Sequence, residues 1–558
     1  MSRCQLLAAS AALLLAAGAR AEEAKPDAAP IDPKVEAQIK QAVEKAKKEL
    51  RDEVRAEVQG AQSAAEFLGT AAEGPKLQLL ELNGYLRLRG DLFDNFGMHR
   101  AADPNGQHLF PGPTYKSNEQ GTQTSTNLRL RLSPTLNVSE HVRVRSQIDV
   151  LDDYVLGSSP GATFTGTTAG DRPVVNVKRV WGELETPVGL FSFGRMPTAF
   201  GLGLVEANFD GPDDDLGDTR DRIQFATLPL STPIGPLSLV PFLDFENQGV
   251  VQSNPQLGDG AGQPYNRNPQ DDGRTWGVKL LRLDTDEELR RKLERGQASV
   301  NYGAEYRYSY QGFVPYAPYN PNIGIGPGEN LRAATYDRAE YRHQLSLWLR
   351  YRTARLLLEA EVSGLTGQIG DPGPFTATLD YTSGKVLLRQ AGGVLRASYQ
   401  VLPNKVTLGG EFGIASGDSA PGFGNVPGQL GPGGTPPVPG VLEGPQYGLN
   451  GDHDIRNFRF NPGYRIDLIL WREILGQLTD AWYLKPWLRW DILSGLSYEG
   501  SLVYSQAMLA SSTPSAIEGN GGHAPLGIEL DNKFTYAADD GVTAWLHYGL
   551  LFPLDGFA

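Results

Sequence analysis

The sequence predicts an all-β fold: a transmembrane antiparallel up-and-down β-barrel of about 16–18 strands with a short N-terminal periplasmic helix. Three observations predict it. The first is a period of two, plainest in residues 127–150, NLRLRLSPTLNVSEHVRVRSQIDV. Leu128, Leu130, Leu132, Leu136 and Val138 share one parity, and Asn127, Arg129, Arg131, Thr135 and Asn137 the other. After a polar turn, Val142, Val144, Ile148 and Val150 alternate with Arg143, Arg145, Gln147 and Asp149. Successive strand side chains point to opposite faces, so this is an antiparallel hairpin with one apolar and one arginine-rich face. With lipid on the first face and water on the second, it is a sector of a membrane barrel. The second observation is the alternation of connections, short near residues 139, 188, 232, 354 and 403 and long near 110, 162, 214, 260, 325, 373 and 435. Barrels have short turns at one rim and long loops at the other, a rule that soluble sandwiches lack. The third is a secretory start. Arg3, the apolar run Leu6 to Ala17 and the small-x-small site Ala19-Arg20-Ala21 form a signal peptide over residues 1–21. It sends the chain to the periplasm, and an even strand number would bring the C-terminus back there.

Composition narrows the classes further. A chain of 558 residues holds several soluble domains or one very large barrel. A mean hydropathy of −0.33 with 21% charged residues has a soluble look. A barrel shares it, because half of each strand faces water. No apolar run reaches 18 residues, so no transmembrane helix is expected. The 66 Gly and 39 Pro indicate many turns and long loops. The sole cysteine, Cys4, lies in the leader, so the mature chain has neither disulfides nor thiolate metal sites. Cleavage removes two of 51 bases and none of 65 acids, taking the formal charge from −14 to −16. Such a chain is a poor nucleic-acid partner.

Residues 22–75 read as a linker and a charged periplasmic helix. From Pro33 to Gln59, Val35, Ile39, Val43, Ala46, Leu50, Val54 and Val58 recur at helical spacing, with Pro33 suited to the first turn and Gly60 to the stop. The stripe fits a coiled coil that docks a periplasmic export partner. A lone charged helix is the plainer reading, because the length barely supports the coiled coil. Residues 76–558 form the barrel. Candidate strands after the opening hairpin are 174–185, 190–200, 222–227, 237–246, 274–283, 297–310, 340–353, 354–363, 384–401, 405–414, 457–471, 481–492, 501–508, 526–536 and 542–554, with a first strand at 77–92. Residues 284–295, DTDEELRRKLER, read as a capped helical insert in a periplasmic turn. Residues 511–522 break the alternation, being long where it calls for a short turn.

The last strand, His547-x-Gly549-x-x-Phe552-x-Leu554, resembles the terminal signal read by the barrel assembly machinery, although four residues follow it. The stretch LGIELDNKFTYAADDGVTAWLHYGLLFPL from Leu526 resembles the closing hairpin of the alginate-export family of outer-membrane barrels, with its Leu-Gly-x-Glu-x-Asp strand. FGRMPTAFGLG from Phe193 resembles the Gly-Arg strand of that family and of porins. GEFGIASGDSAPGFG from Gly410 and NFRFNPGYRIDLILWREILGQLTDAWYLKP from Asn457 are similar to an uncharacterised set of myxobacterial outer-membrane barrels. These pieces lie chiefly in the last third of the chain. The resemblance implies an outer-membrane channel, most concretely one that exports an anionic polysaccharide. A general diffusion porin for small anionic solutes, a non-conducting surface scaffold and an outer-membrane hydrolase remain alternatives.

The alternation assigns inward-facing charges. The lumen candidates are Arg87, Arg89, Arg129, Arg131, Arg143, Arg145, Arg350, Arg352, Arg489, Glu529 and Asp531. Guanidinium forks match carboxylate or phosphate, so an arginine ladder can guide an anionic solute. The plainer reading is that acids and bases pair across neighbouring strands and hold the wall. The arginine-only sector from Arg87 to Arg145 is where guidance is expected. Asp210, Asp213, Asp214, Asp215 and Asp218 crowd one loop, but their spacing matches no EF-hand, and a solvated loop is the plainer reading. No metal site and no cofactor is expected. The seven histidines are scattered, and neither Gly-x-Ser-x-Gly nor His-Glu-x-x-His occurs, so no enzyme is expected. The partners expected are outer-membrane lipid and lipopolysaccharide, the assembly machinery and the export partner at the helix.

Overall fold

The structure is a computed structural model. It describes residues 79–98, 100, 103, 121–156, 175–247, 272–312, 314–315, 335–336, 338–370, 385–424, 438–442, 446, 453–519 and 521–557. The leader and the helix expected from Pro33 to Gln59 lie outside the described residues. Nineteen strands form one sheet. Two of them are short, Leu230–Thr232 and Asp454–Ile455. The other seventeen make the wall. They are β1 (Leu80–Asp94), β2 (Thr122–Asn137), β3 (Val142–Val155), β4 (Val175–Thr186), β5 (Gly189–Pro197), β6 (Thr219–Thr227), β7 (Gly235–Asn247), β8 (Gly273–Arg282) and β9 (Ser299–Gln311). They continue as β10 (Glu340–Arg352), β11 (Leu356–Ile369), β12 (Val386–Leu402), β13 (Val406–Ala415), β14 (Ala481–Leu493), β15 (Leu496–Ala507), β16 (Pro525–Ala537) and β17 (Thr543–Pro553). Each pairs antiparallel with its sequence neighbour, as an up-and-down barrel requires.

Burial along the wall is inverted relative to a soluble protein. On β1, Leu86 and Leu88 are 69% and 65% exposed while Arg87 between them is 2% exposed. Exposed leucines recur at alternate positions, as at Leu345, Leu347 and Leu349 of β10. A row of apolar side chains on the outside and charges within is stable only when the outside is hydrocarbon. Turn chemistry fits the short rim. Asn404 and Gly495 supply the positive φ of 55° and 81° that their tight turns require. The helical insert is present as α1 (Asp286–Glu294), closed by a capping box between Thr285 and Glu288.

Two expectations are corrected. Residues 457–471 are not a wall strand; they run inside the barrel and end in one π-helical turn at Leu470–Ile474. Removing that strand from the count restores the strict alternation, so 508–524 falls on the long-loop rim and is no break. Among the described residues the wall count is therefore odd, and β1 and β17 run in the same direction. The C-terminal end of the wall lies at the rim opposite the start of β1, not beside it.

The inside is filled at mid-height. Residues 198–218 and 457–480 fold inward and meet. Asn461 donates to the Asp218 carboxylate at 2.5 Å and to the Val205 carbonyl at 3.2 Å, while its own N–H reaches the Leu204 carbonyl at 2.8 Å. Leu204, Phe458, Phe460, Ile466, Leu470 and Trp471 form one buried apolar cluster with Tyr483, Val503 and Leu526 of the wall. A packed core inside a charged wall is a plug, and its apolar burial drives the two segments together.

Candidate functional site in the lumen

Glu361 of β11 and Glu529 of β16 fasten the plug through its backbone. Glu529 accepts from the N–H groups of Leu468, Ile469 and Leu470 at 2.9, 2.7 and 3.0 Å. Glu361 accepts from Leu202 and Leu204 at 2.5 and 3.4 Å. Gly201, with a φ of 59°, allows this approach, because a Cβ there would strike the Glu361 carboxylate. Asp467 closes the π-helical turn by accepting from Trp471 and Arg472 at 2.9 and 3.2 Å. Burial, reinforced by the nearby Glu529 and Asp531, pushes the Asp467 carboxyl well above the carboxylate range. Asp531 lies within hydrogen-bonding reach of Glu529, so both predicted acids belong to one buried group.

The arginine sector is not arginine-only in space. Arg87 and Arg129 stand directly opposite each other on β1 and β2. Acids from the end of β3 and from the inward loop neutralise them. Arg129 meets Asp152 at 2.5 Å and Asp153 at 2.7 Å, and Arg87 pairs with the same Asp153. Asp215 of the inward loop reaches Arg87, Arg89 and Arg129 at 2.8, 2.5 and 3.1 Å. Arg131 holds Asp149 through two bonds of 2.6 and 2.7 Å and touches Asp210 at 3.3 Å. Arg179, which sequence reasoning passed over, pairs with Asp210 and donates to Asn208 at 2.6 Å. Arg145 and Arg143 lean on Glu183 and Glu185 at 3.0 and 3.4 Å.

The acidic loop is thus neither bare nor merely solvated. Asp213 meets Arg472 and Arg465 of the second segment at 3.4 and 3.5 Å, Asp214 meets Arg465 at 3.6 Å, and Asp218 accepts from the Ala207 N–H at 2.7 Å. Burial alone would raise the Asp215 carboxyl, but Arg87 and Arg89 outweigh it and hold the group well below the usual range. Among the described residues no cluster of His, Cys, Asp or Glu is arranged to hold a metal ion. A second knot, unseen in the sequence, fixes the loop's other end. Glu206 sits 2.7 Å from Lys279 and 2.7 Å from Arg307, Arg222 grips Asp244 at 2.5 and 2.9 Å, and Glu305 closes the group.

The register also draws a charge row around the wall. Arg350, Glu359, Arg396, Glu411 and Lys485 are successive partners from β10 to β14. Arg350 reaches Glu359 at 2.5 Å and Arg396 reaches Glu411 at 2.8 Å. The bases are the exposed members: Arg350 is 37% and Arg396 35% exposed, against 5% and 6% for their acids. At the Asp215 knot the order is reversed. There the Arg87 side chain is 1% exposed and those of Asp153 and Asp215 are 36% and 26%. Arg489 pairs with Asp491 at 3.2 Å, and Arg352 lies opposite Ser299 at the short-turn end.

No protein-family profile matches the chain, and no curated protein matches it. Among solved structures it is similar to a BenF-like porin from Pseudomonas fluorescens Pf-5, at 10% identity over 85% of this chain and 94% of that one, with a TM-score of 0.42. It is similar to OccAB4 of Acinetobacter baumannii, at 10% identity over 85% and 93%, with a TM-score of 0.40. OccK5 of Pseudomonas aeruginosa matches at 10% identity over 85% and 92%, with a TM-score of 0.39.

Proposed function

We propose that the chain is an outer-membrane channel that carries anionic solutes past a plug latched by ion pairs. The observation that carries this is the opposite exposure of paired charges at two places. Along the β10–β13 side, where Arg396 and Glu411 also touch Tyr464 of the plug, the wall leaves the guanidinium the more exposed partner, as at Arg350–Glu359 and Arg396–Glu411. At the plug the arginines are buried and the acids show. Each pair is neutral overall, yet the field a solute meets is set by the exposed member. Anions are drawn to the exposed guanidinium side of the wall and are held back by the acidic face around Asp153 and Asp215 until the plug moves. The export of an anionic saccharide chain, which the family resemblance implies, suits this arrangement, because a polyanion can engage several exposed arginines at once. The segment from Pro33 to Gln59 is the proposed docking element for a periplasmic partner.

The test is single-channel recording in a planar bilayer across a KCl gradient. Replacing Arg350, Arg396 and Arg489 with serine should move the reversal potential toward cation preference. Serine at Arg87 and Arg129 should instead enlarge conductance, because it frees residues 198–218. Unchanged reversal potentials in the first set would refute the anion assignment. Deleting residues 22–60 should spare conductance and impair export.

A further inference from the structure

Several acids that hold the plug meet a base. Asp213 and Asp215 of the inward loop pair with arginines, and Glu206 pairs with a lysine and an arginine. Asp467, Glu529 and Asp531 differ. Among the described residues none of the three lies within ion-pair distance of a base. All three are buried, at 4%, 1% and 8% exposure. Their neighbours in chain and register, Ile466, Leu470 and Val503, belong to the buried apolar cluster. Lys533 follows on β16 itself. β15 presents Ser501 opposite Asp531 and Glu499 one row on, and β17 presents Gly549 and His547 at the same two positions. Lys485 of β14 is the base that faces the group, and its Nζ donates to the Ile466 carbonyl at 2.7 Å. Two oxygens of the group, Asp467 Oδ2 and Asp531 Oδ1, are buried with no hydrogen-bond partner.

We propose that these three carboxyls form a proton-binding site that latches the plug to β16, and that loss of the proton at alkaline pH frees residues 467–474. Two carboxyls within hydrogen-bonding reach of each other and away from water do not both carry charge. Glu529 and Asp531 are such a pair. Glu529 already takes the N–H groups of Leu468, Ile469 and Leu470. The proton therefore sits on Asp531, whose O–H donates to Glu529. Its loss leaves two adjacent charges beside Asp467, with Lys485 to offset them. The repulsion falls on the plug, because Glu529 holds its backbone and Asp467 closes its π-helical turn through Trp471 and Arg472. A proton suits the group where a metal ion does not, since among the described residues no acids converge as ligands. A proton bound in the latched state stabilises it below the titration, and that stabilisation is lost as pH rises through it. The site belongs to the plug and needs no solute to pass. A barrel that shows this behaviour and does not conduct would sink the channel reading and leave this one standing.

The experiment uses the full chain in phosphatidylcholine vesicles. Infrared spectra read the proton, because a protonated carboxyl absorbs apart from a carboxylate. The wild type should show a protonated-carboxyl band at about pH 7 that weakens in Asp531→Asn and titrates away by about pH 10. Hydrogen exchange of residues 467–474 reads the latch. The asparagine amide donates to Glu529 at every pH, so Asp531→Asn should stay latched. At about pH 6 the two proteins should exchange alike, and at about pH 10 the wild type should exchange about tenfold faster, the factor that one released proton brings over one pH unit. Comparison at equal pH cancels the intrinsic rise of exchange with pH. Asp531→Thr keeps an O–H donor and takes the place of Asp531→Asn where that variant does not fold. A protonated-carboxyl band of undiminished strength in the folded variant overturns the site. Equal exchange of the two proteins at about pH 10 overturns the latch.

Discussion

Arg87 and Arg129 face each other in direct register, an arrangement that destabilises a strand pair unless acids intervene. Here the acids come from Asp153 at the end of β3 and Asp215 of the inward loop, so the two arginines anchor the plug. Removing one member of a buried ion pair leaves the others unmatched, at a typical cost of about 3–5 kcal/mol. Arg129→Leu should therefore lower unfolding stability by about 3 kcal/mol and expose residues 198–218 to protease, as chemical denaturation and limited proteolysis would show. The pH response follows from the same contacts. Asp215 is depressed when folded, so its contribution is present above its unfolded value near 3.9 and is lost only as pH falls through the lower folded value. The loop's protease resistance should be unchanged from about pH 7 to about pH 5, and a collapse in that interval would contradict the anchor.

Among the elements, residues 457–480 best show what patterning conveys. Phe458, Phe460, Ile466, Leu468 and Leu470 share one parity, and the sequence reads as a strand. The alternation is one of residue type and not of burial, since Asn457, Asp467, Ile469 and Trp471 of the other parity are buried as well. A wall strand would show one face to lipid and one to the lumen; here both parities contribute to the plug core. The end of this segment supplies a pH-dependent clasp. Burial raises the Asp480 carboxyl to about 7, against the hydrogen bond it accepts from Ser512. A folded value above the unfolded one means that the stabilisation is complete below the unfolded value and is lost as pH rises through 7. Residues 508–524 should become more accessible to hydrogen exchange between about pH 6 and about pH 8, and Asp480→Asn should remove that dependence. The α1 turn was legible for the opposite reason. Its Thr285 and Glu288 capping pair is a local signal, three residues apart.

For the molecule as a whole, the consequential number is seventeen. Among the described residues this odd count leaves the two wall ends at opposite rims and the two edges parallel. The sequence has a single cysteine, Cys4, which Cys4→Ser removes, so the point is testable with single introduced thiols. Leu79→Cys and Asp555→Cys should react with a membrane-impermeant maleimide from opposite sides of the outer membrane. Labelling of both from one side would require an even number of crossings.

The inward and outward parity of the wall strands, the two rims and the helical turn were legible in the sequence, whereas the place of residues 457–471 was not. Each rests on the alternation of side chains along an extended backbone or on a capping signal a few residues long, so each is readable in a short window. Arg87, Arg129, Glu529 and Asp531 could be placed on the inner face in this way. Only the tertiary structure decided what they meet there. Asp215 lies 128 positions from Arg87, and the Leu468 N–H 61 positions from Glu529. Contacts at such separations depend on strand register and on which loops turn inward, and those are settled by the pairing of the wall strands and the burial of the plug's apolar side chains.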